Sequence, residues 1–131
     1  MMQQYAPLYI APSPLGGRGV FSREAIAEGT LIEICPVVVL PPEQLPTIHD
    51  TKLHDYYFLW GWEDNECAIA LGYGSLYNHA YDPNARYLVD IDHDAIEIIA
   101  RRDIEAGEEI TVSYNGDPED QTPVWFDQRA S

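Results

Sequence analysis

The chain has 131 residues, a size at which one domain buries roughly two thirds of its unfolded surface. Its 46% hydrophobic and 11% aromatic content exclude a disordered polymer, and ten prolines with nine glycines predict a loop-rich, mostly β chain with many turns. Seven basic residues against twenty-two acidic ones leave a formal charge of -15, which excludes general attraction to nucleic acid or anionic lipid; the same charge either keeps the chain soluble or draws in a cationic peptide.

In chain order, a short strand is predicted around Tyr5 to Ile10, then the breaker APSPLGGRG, then a second apolar start at Val20 and Phe21. The glycines therefore lie between two strands. The opening stretch lacks a basic region followed by an apolar run, and no later segment reaches the length of a membrane span, so a soluble intracellular protein, cytoplasmic or nuclear, is expected. Residues 23–32 and 101–110 share an Ile-x-x-Gly-x-x-Ile frame, in each case a glycine turn leading into a strand. Leu31 to Leu40 is the most apolar stretch; Glu33 and Pro36 interrupt it, and short buried strands are predicted there.

The segment PPEQLPTIHDTKLHDYYFLWGW is the least regular. Its prolines predict a loop, and its cluster of Tyr56, Tyr57, Phe58, Trp60 and Trp62 either completes a small core or walls a channel for a substrate side chain. From Ala85 to Ala100 the alternation predicts a hairpin with Tyr87, Val89 and Ile91 on one face, Asp92 to Asp94 as the turn, and Ile96 and Ile98 on the return strand. After Tyr114 the chain is polar except for Val124, Trp125 and Phe126, an apolar island expected to dock onto something.

Cys35 and Cys67 are too few for a disulfide framework and sit in apolar contexts, which predicts two reduced, buried thiols. His49, His54, His79 and His93 lack the paired spacing of a zinc motif, so no metal is expected. In YNHAYDPNA, Asp82, Pro83 and Asn84 read as a turn whose side chains satisfy local backbone groups. Asn78 and His79 have no such local explanation beyond capping the same turn.

Four pieces stand out: GRGVF at 17–21, the aromatic cluster at 56–62, YNHAYDPN at 77–84 and GEEITVSY at 107–114. Their order and spacing, from about Leu15 to Tyr114, resemble the SET domain, the fold of S-adenosylmethionine-dependent protein-lysine methyltransferases. The resemblance implies a mostly β, β-clip-like fold of several small sheets with few short helices and a threaded C-terminal segment. It also implies a single domain over 1–131, with its core at 15–114 and 115–131 closing the site. Two departures are visible: Ala80 follows the histidine where the family most often has serine, and Ser75 stands where many members have arginine.

In that resemblance Gly17, Arg18 and Gly19 bring backbone close to the methionine part of S-adenosylmethionine, since a Cβ would obstruct the approach; alone, such a GxG is an ordinary tight turn. Asn78 offers donors and an acceptor to the cofactor's ammonium or carboxylate end, and His79 frames the adenine, largely through its main chain. Tyr114 matches the catalytic tyrosine and is also implied among the cofactor-binding residues. A lysine amine with an ordinary pKa of about 10.4 must lose a proton at a cost of roughly 4.6 kcal/mol at pH 7, and a neighbouring sulfonium with an apolar channel lowers that cost. A phenol ordinarily titrates near ~10, so Tyr114 is expected to orient and stabilise rather than to act as a base.

Tyr56 or Tyr57 would line the lysine channel, and Trp125 or Phe126 would cover the cofactor in place of the family's zinc-binding flanks, which this chain lacks. The implied partner is a lysine-containing basic protein or peptide, such as a histone-like tail, with no direct nucleic acid and no membrane; the oligomeric state is open, a homodimer included. The alternative function is a catalytically silent module that holds basic peptides in the same cleft. The joint presence of the GxG turn, Asn78 and Tyr114 speaks against it, as it does against a purely structural protein.

Overall fold

Short strands punctuated by proline and glycine assemble into two sheets in the computed structural model, which describes residues 3–63 and 65–114. In chain order they are β1 (Gln3–Gln4), β2 (Leu8–Pro12), β3 (Arg18–Ser22), β4 (Leu31–Leu40), β5 (Tyr57–Trp60), β6 (Glu66–Ala70), β7 (Asn78–His79), β8 (Ala85–Asp90), β9 (Ala95–Ala100) and β10 (Glu109–Val112). The larger sheet runs β5-β6-β4-β9-β8, with β1 added to β4; the smaller runs β2-β3-β10-β7. The helix α1 (Leu45–His49) and three short 3-10 turns are the helical content among the described residues. The mostly β expectation with few short helices holds. The segment after Tyr114, expected to thread, lies outside the described residues.

The two Ile-x-x-Gly-x-x-Ile frames pair with each other. Ile26 and Ile104 exchange both backbone hydrogen bonds at 2.8 Å, and Gly29 and Gly107 take positive φ of 83° and 81°, a conformation most side chains avoid. Each frame then feeds a strand, β4 or β10. The four isoleucines of the frames, Ile26, Ile32, Ile104 and Ile110, are all buried, and burying such a side chain contributes about 1.5–3 kcal/mol. What reads as a local echo is a long-range bridge between the two sheets.

Leu31 to Leu40 departs from expectation by forming one ten-residue strand rather than short interrupted ones. Pro36 is tolerated because it ends the pairing with β9, opposite Ala95, while Val37 to Leu40 pair with β6. Glu33 does not break the strand either. It is fully buried and hydrogen-bonded by Tyr77, Tyr73 and Gln4.

The first predicted strand is shifted: Tyr5 is exposed, and β2 continues to Pro12, into the expected breaker. The aromatic cluster separates by strand alternation. Trp60 is buried and Phe58 packs edge-on to Tyr87 at 5.1 Å, whereas Trp62, beyond the strand, is 82% exposed. The predicted hairpin is present as β8 and β9, closed by a 3-10 turn at Ile91–His93 with Asp94 in the left-handed region. Ile96 and Ile98 are buried and Tyr87 and Ile91 pack against the core, but Val89 is exposed.

Candidate active site

Strand β10 is the axis of the site. It pairs antiparallel with β3, through Glu109 opposite Phe21 and Ile110 opposite Val20, and parallel with β7, through Thr111 opposite Asn78 and Val112 opposite His79. The GxG turn, the Asn-His pair and the strand leading to Tyr114 are therefore neighbours, although Arg18 and Asn78 are 60 residues apart in the chain.

Asn78 joins the turn to β10. Its Nδ2 donates to the Arg18 carbonyl at 2.9 Å and to Glu109 Oε2 at 2.8 Å, and the other Glu109 oxygen accepts from Ser13 Oγ at 2.6 Å. Ser13 in turn shapes the glycine loop: its N–H donates to the Gly17 carbonyl, its carbonyl accepts from Gly16, and its hydroxyl accepts from Leu15 N–H. A Cβ on Gly19 would collide with the Glu109 carboxylate and lie 3.2 Å from Asn78 Nδ2. Part of the room expected for a ligand beside Gly19 is thus held by the protein's own carboxylate. Gly17 and Arg18 are exposed on the turn.

His79 is buried, and its ring has a side-chain task beyond the main-chain pairing of β7. Nδ1 accepts the Tyr114 N–H at 2.9 Å, which requires that nitrogen to be unprotonated, and the ring packs edge-on to Tyr81 with centroids 4.3 Å apart. The Tyr114 hydroxyl donates to the Tyr77 carbonyl at 2.8 Å. Tyr114 is thus held at both ends by residues 77 to 79 while 41% of its surface stays exposed. Its hydroxyl proton is directed at the Tyr77 carbonyl, so the phenolic oxygen can act towards a further donor only as an acceptor.

Asn84 corrects the local-turn reading. Its side chain reaches β10 rather than its own turn: Oδ1 accepts from Thr111 N–H at 2.9 Å, and Nδ2 donates to the Glu109 carbonyl at 2.8 Å and to Glu108 Oε2 at 3.2 Å. Asp82 instead accepts from Arg102 at 3.2 Å, and Arg101 caps the Pro83 carbonyl at 2.7 Å. Ser75, in place of the expected arginine, donates to the Tyr56 carbonyl at 3.0 Å and to the Ala70 carbonyl at 3.3 Å.

The two channel candidates differ in surroundings. Tyr56 is fastened through its backbone to Ser75, two residues from Tyr77, whereas the Tyr57 hydroxyl bonds His49 Nδ1, at the end of α1, at 3.0 Å. Burial raises the Tyr57 pKa. Trp125 and Phe126 lie outside the described residues. Sequence reasoning missed Ser13, Glu33, Asn84 and Glu109; the one visible signal was Glu33, a carboxylate inside the most apolar stretch.

Comparison with known proteins follows this geometry. The family model for the SET domain matches residues 17–115. A Schizosaccharomyces pombe histone-lysine N-methyltransferase, H3 lysine-37 specific, is 35% identical over 127 residues, which cover 96% of this chain and 81% of that protein. The histone-lysine N-methyltransferase SET9 of Gibberella zeae is 34% identical over 72% of this chain, a match to 14% of its own length. A crystal structure of a Plasmodium falciparum chain designated a histone methyltransferase superposes with a TM-score of 0.70 at 34% identity, covering 95% of this chain and 98% of that one.

Proposed function

Because this chain belongs to the SET-domain family, we infer that it is a protein-lysine methyltransferase whose methyl donor is S-adenosylmethionine and whose targets are lysines in basic, histone-like protein segments. The observation that carries the reading is the double anchoring of Tyr114 by Tyr77 and His79, next to a turn tied to Asn78.

The donor set fits such a cofactor. Asn78 spends both amide hydrogens on Arg18 and Glu109, and its Oδ1, which has no bond among the described residues, suits an ammonium group. The Glu109 carboxylate beside it favours positive charge, and the exposed amides of Gly17 and Arg18 suit a carboxylate. S-adenosylmethionine, when bound, supplies an electrophilic methyl group and a fixed positive sulfur that disfavours the ammonium form of a nearby lysine. Tyr114 does the orienting: with its proton directed at Tyr77, its oxygen accepts from the amine and holds the lone pair in line. Deprotonation to water then precedes transfer, and no covalent enzyme intermediate is needed.

Tyr56 is favoured to line the lysine channel through its tie to Ser75. The remaining assignments are part of the same proposal: a single domain in which Trp125 or Phe126 covers the cofactor. The charge of -15 supports a cationic target segment. Two free, buried thiols suit a reducing, intracellular compartment, and among the described residues no helix is long and apolar enough to cross a membrane.

The test is incubation with isotope-labelled S-adenosylmethionine and a panel of lysine-rich peptides. Wild-type protein is expected to label at least one peptide, and Tyr114→Phe to label it ~100-fold more slowly with cofactor affinity within a few-fold. Peptide binding without any label would refute the reading and favour a silent binding module. Self-labelling is easy to separate, since the chain has a single lysine, Lys52.

A further inference from the structure

Strand β4 carries a carboxylate where the mechanism above uses none. Glu33 has no exposed surface. Its Oε1 accepts from the Tyr77 hydroxyl at 2.6 Å, and its Oε2 accepts from Tyr73 N–H at 3.0 Å and Gln4 Nε2 at 3.2 Å. Burial and the Glu33 charge push the Cys35 thiol well above its usual range. Among the described residues no cation stands against Glu33. An ion without a counter-ion is costly to desolvate, and its neutral donors, Tyr77, Tyr73 and Gln4, must offset that cost. The charge therefore calls for another reason.

Tyr77 supplies one. The residue is itself buried, and its hydroxyl stays protonated because burial, and then the charge of Glu33, raise its pKa well above the ordinary phenol value. The bond direction is thereby fixed: Tyr77 donates and Glu33 accepts, in a short charge-assisted bond. The other end of the same residue is the carbonyl to which the Tyr114 hydroxyl donates at 2.8 Å, and the next residue is Asn78. One side chain tethered in the core thus fixes the peptide group that orients the exposed tyrosine.

We propose that Glu33 and the Tyr77 side chain act as a buried positioning pair, which sets the Tyr77 carbonyl and through it the direction of the Tyr114 hydroxyl during methyl transfer. The inference rests on the methyltransferase reading and deepens it. Neither side chain touches the reacting atoms; both act through Tyr114. Small misplacement of an orienting group can cost ~100-fold in rate, so a tether of this kind has a kinetic signature distinct from its contribution to folding.

The test is a double-mutant cycle on single-turnover rates, using Tyr77→Phe, Tyr114→Phe and the combination, with cofactor affinity measured by calorimetry. Tyr77→Phe is expected to slow transfer ~10-fold with cofactor affinity within ~2-fold, and to change the rate by less than ~3-fold when Tyr114 is already Phe. If Tyr77→Phe does not fold, Glu33→Gln takes its place, with an expected ~5-fold slowing that again disappears in the Tyr114→Phe background. Equal slowing in both backgrounds, or no slowing at all, overturns the positioning role and leaves the methyltransferase reading intact. A wild-type protein that transfers nothing to any lysine overturns both.

Discussion

Replacing Asn84 with aspartate separates a local turn residue from a long-range brace. A turn cap would tolerate the change, since aspartate satisfies local backbone groups as well as asparagine does. In the structure the side chain is 2% exposed and its amide nitrogen donates to the Glu109 carbonyl at 2.8 Å and to Glu108 Oε2 at 3.2 Å. Asn84→Asp keeps the acceptor for Thr111 N–H but removes both donations. Losing the bond to a buried carbonyl costs ~1–3 kcal/mol. The new carboxylate would also stand beside that of Glu108; at 3.2 Å and an effective dielectric of about 20 their repulsion is ~5 kcal/mol. The introduced carboxyl can instead take up a proton, which caps this contribution at ~4 kcal/mol at pH 7 and ~1.5 kcal/mol at pH 5 for an unfolded pKa of about 3.9. The sign follows: the folded-state pKa is raised, so the penalty is absent below the unfolded value and grows as pH rises towards the folded one. Urea unfolding followed by tryptophan fluorescence, with Trp60 buried as reporter, should give a loss of ~3–6 kcal/mol at pH 7 that shrinks by ~2 kcal/mol or more at pH 5. Asn84→Ala should show a loss that does not change with pH over this range. An Asn84→Asp protein as stable as its parent at both pH values would refute the brace.

Three further outcomes are expected. Gly19→Ala should fold, because the colliding Glu109 carboxylate can swing aside, but with the Asn78–Glu109 bond broken its cofactor affinity should fall ~10-fold by calorimetry; unchanged affinity would show that the bond does not shape the turn. Truncation after Asp117 should weaken cofactor binding and turnover if Trp125 or Phe126 covers the cofactor, and equal affinity and rate in the truncated chain would sink that assignment. Cys35 and Cys67 are free and buried, and burial raises the pKa of both, so neither should react with a disulfide reagent at pH 8 until the protein unfolds; rapid labelling of the native protein would contradict their burial.

The parts of the site that were legible in the sequence are those whose chemistry fits in a short window. The GxG turn, Asn78-His79 and the strand ending in Tyr114 each announce a residue type the backbone does not require, and the two glycine frames announce two strand starts. Asn84 was misread because Asp-Pro-Asn has a sufficient local explanation, while its partners Thr111 and Glu109 lie 27 and 25 residues away. Glu33 looked like an interruption for the same reason: the donor that makes its burial tolerable is 44 residues on. Strand β5 was hidden by the prolines before it, although Phe58 and Trp60 inward with Tyr57 and Leu59 outward is a period-two pattern.

The illegible contacts share a physical character that bears on how the site works. All are polar side-chain bonds across long sequence separations, and four of them, from Ser13, Asn78, Asn84 and His79, end on β10 or on Tyr114 just after it. Strand β10 is four residues long, with few ladder bonds of its own to hold it, and it is flanked by one antiparallel and one parallel neighbour. Side-chain braces therefore fix its position along the strand direction, where backbone pairing alone permits slippage. A register slip of one residue would turn Glu109 away from Asn78 and carry Tyr114 away from Tyr77 and His79. Substitutions at the braces should consequently couple to one another and to Tyr114, rather than add as independent losses of stability.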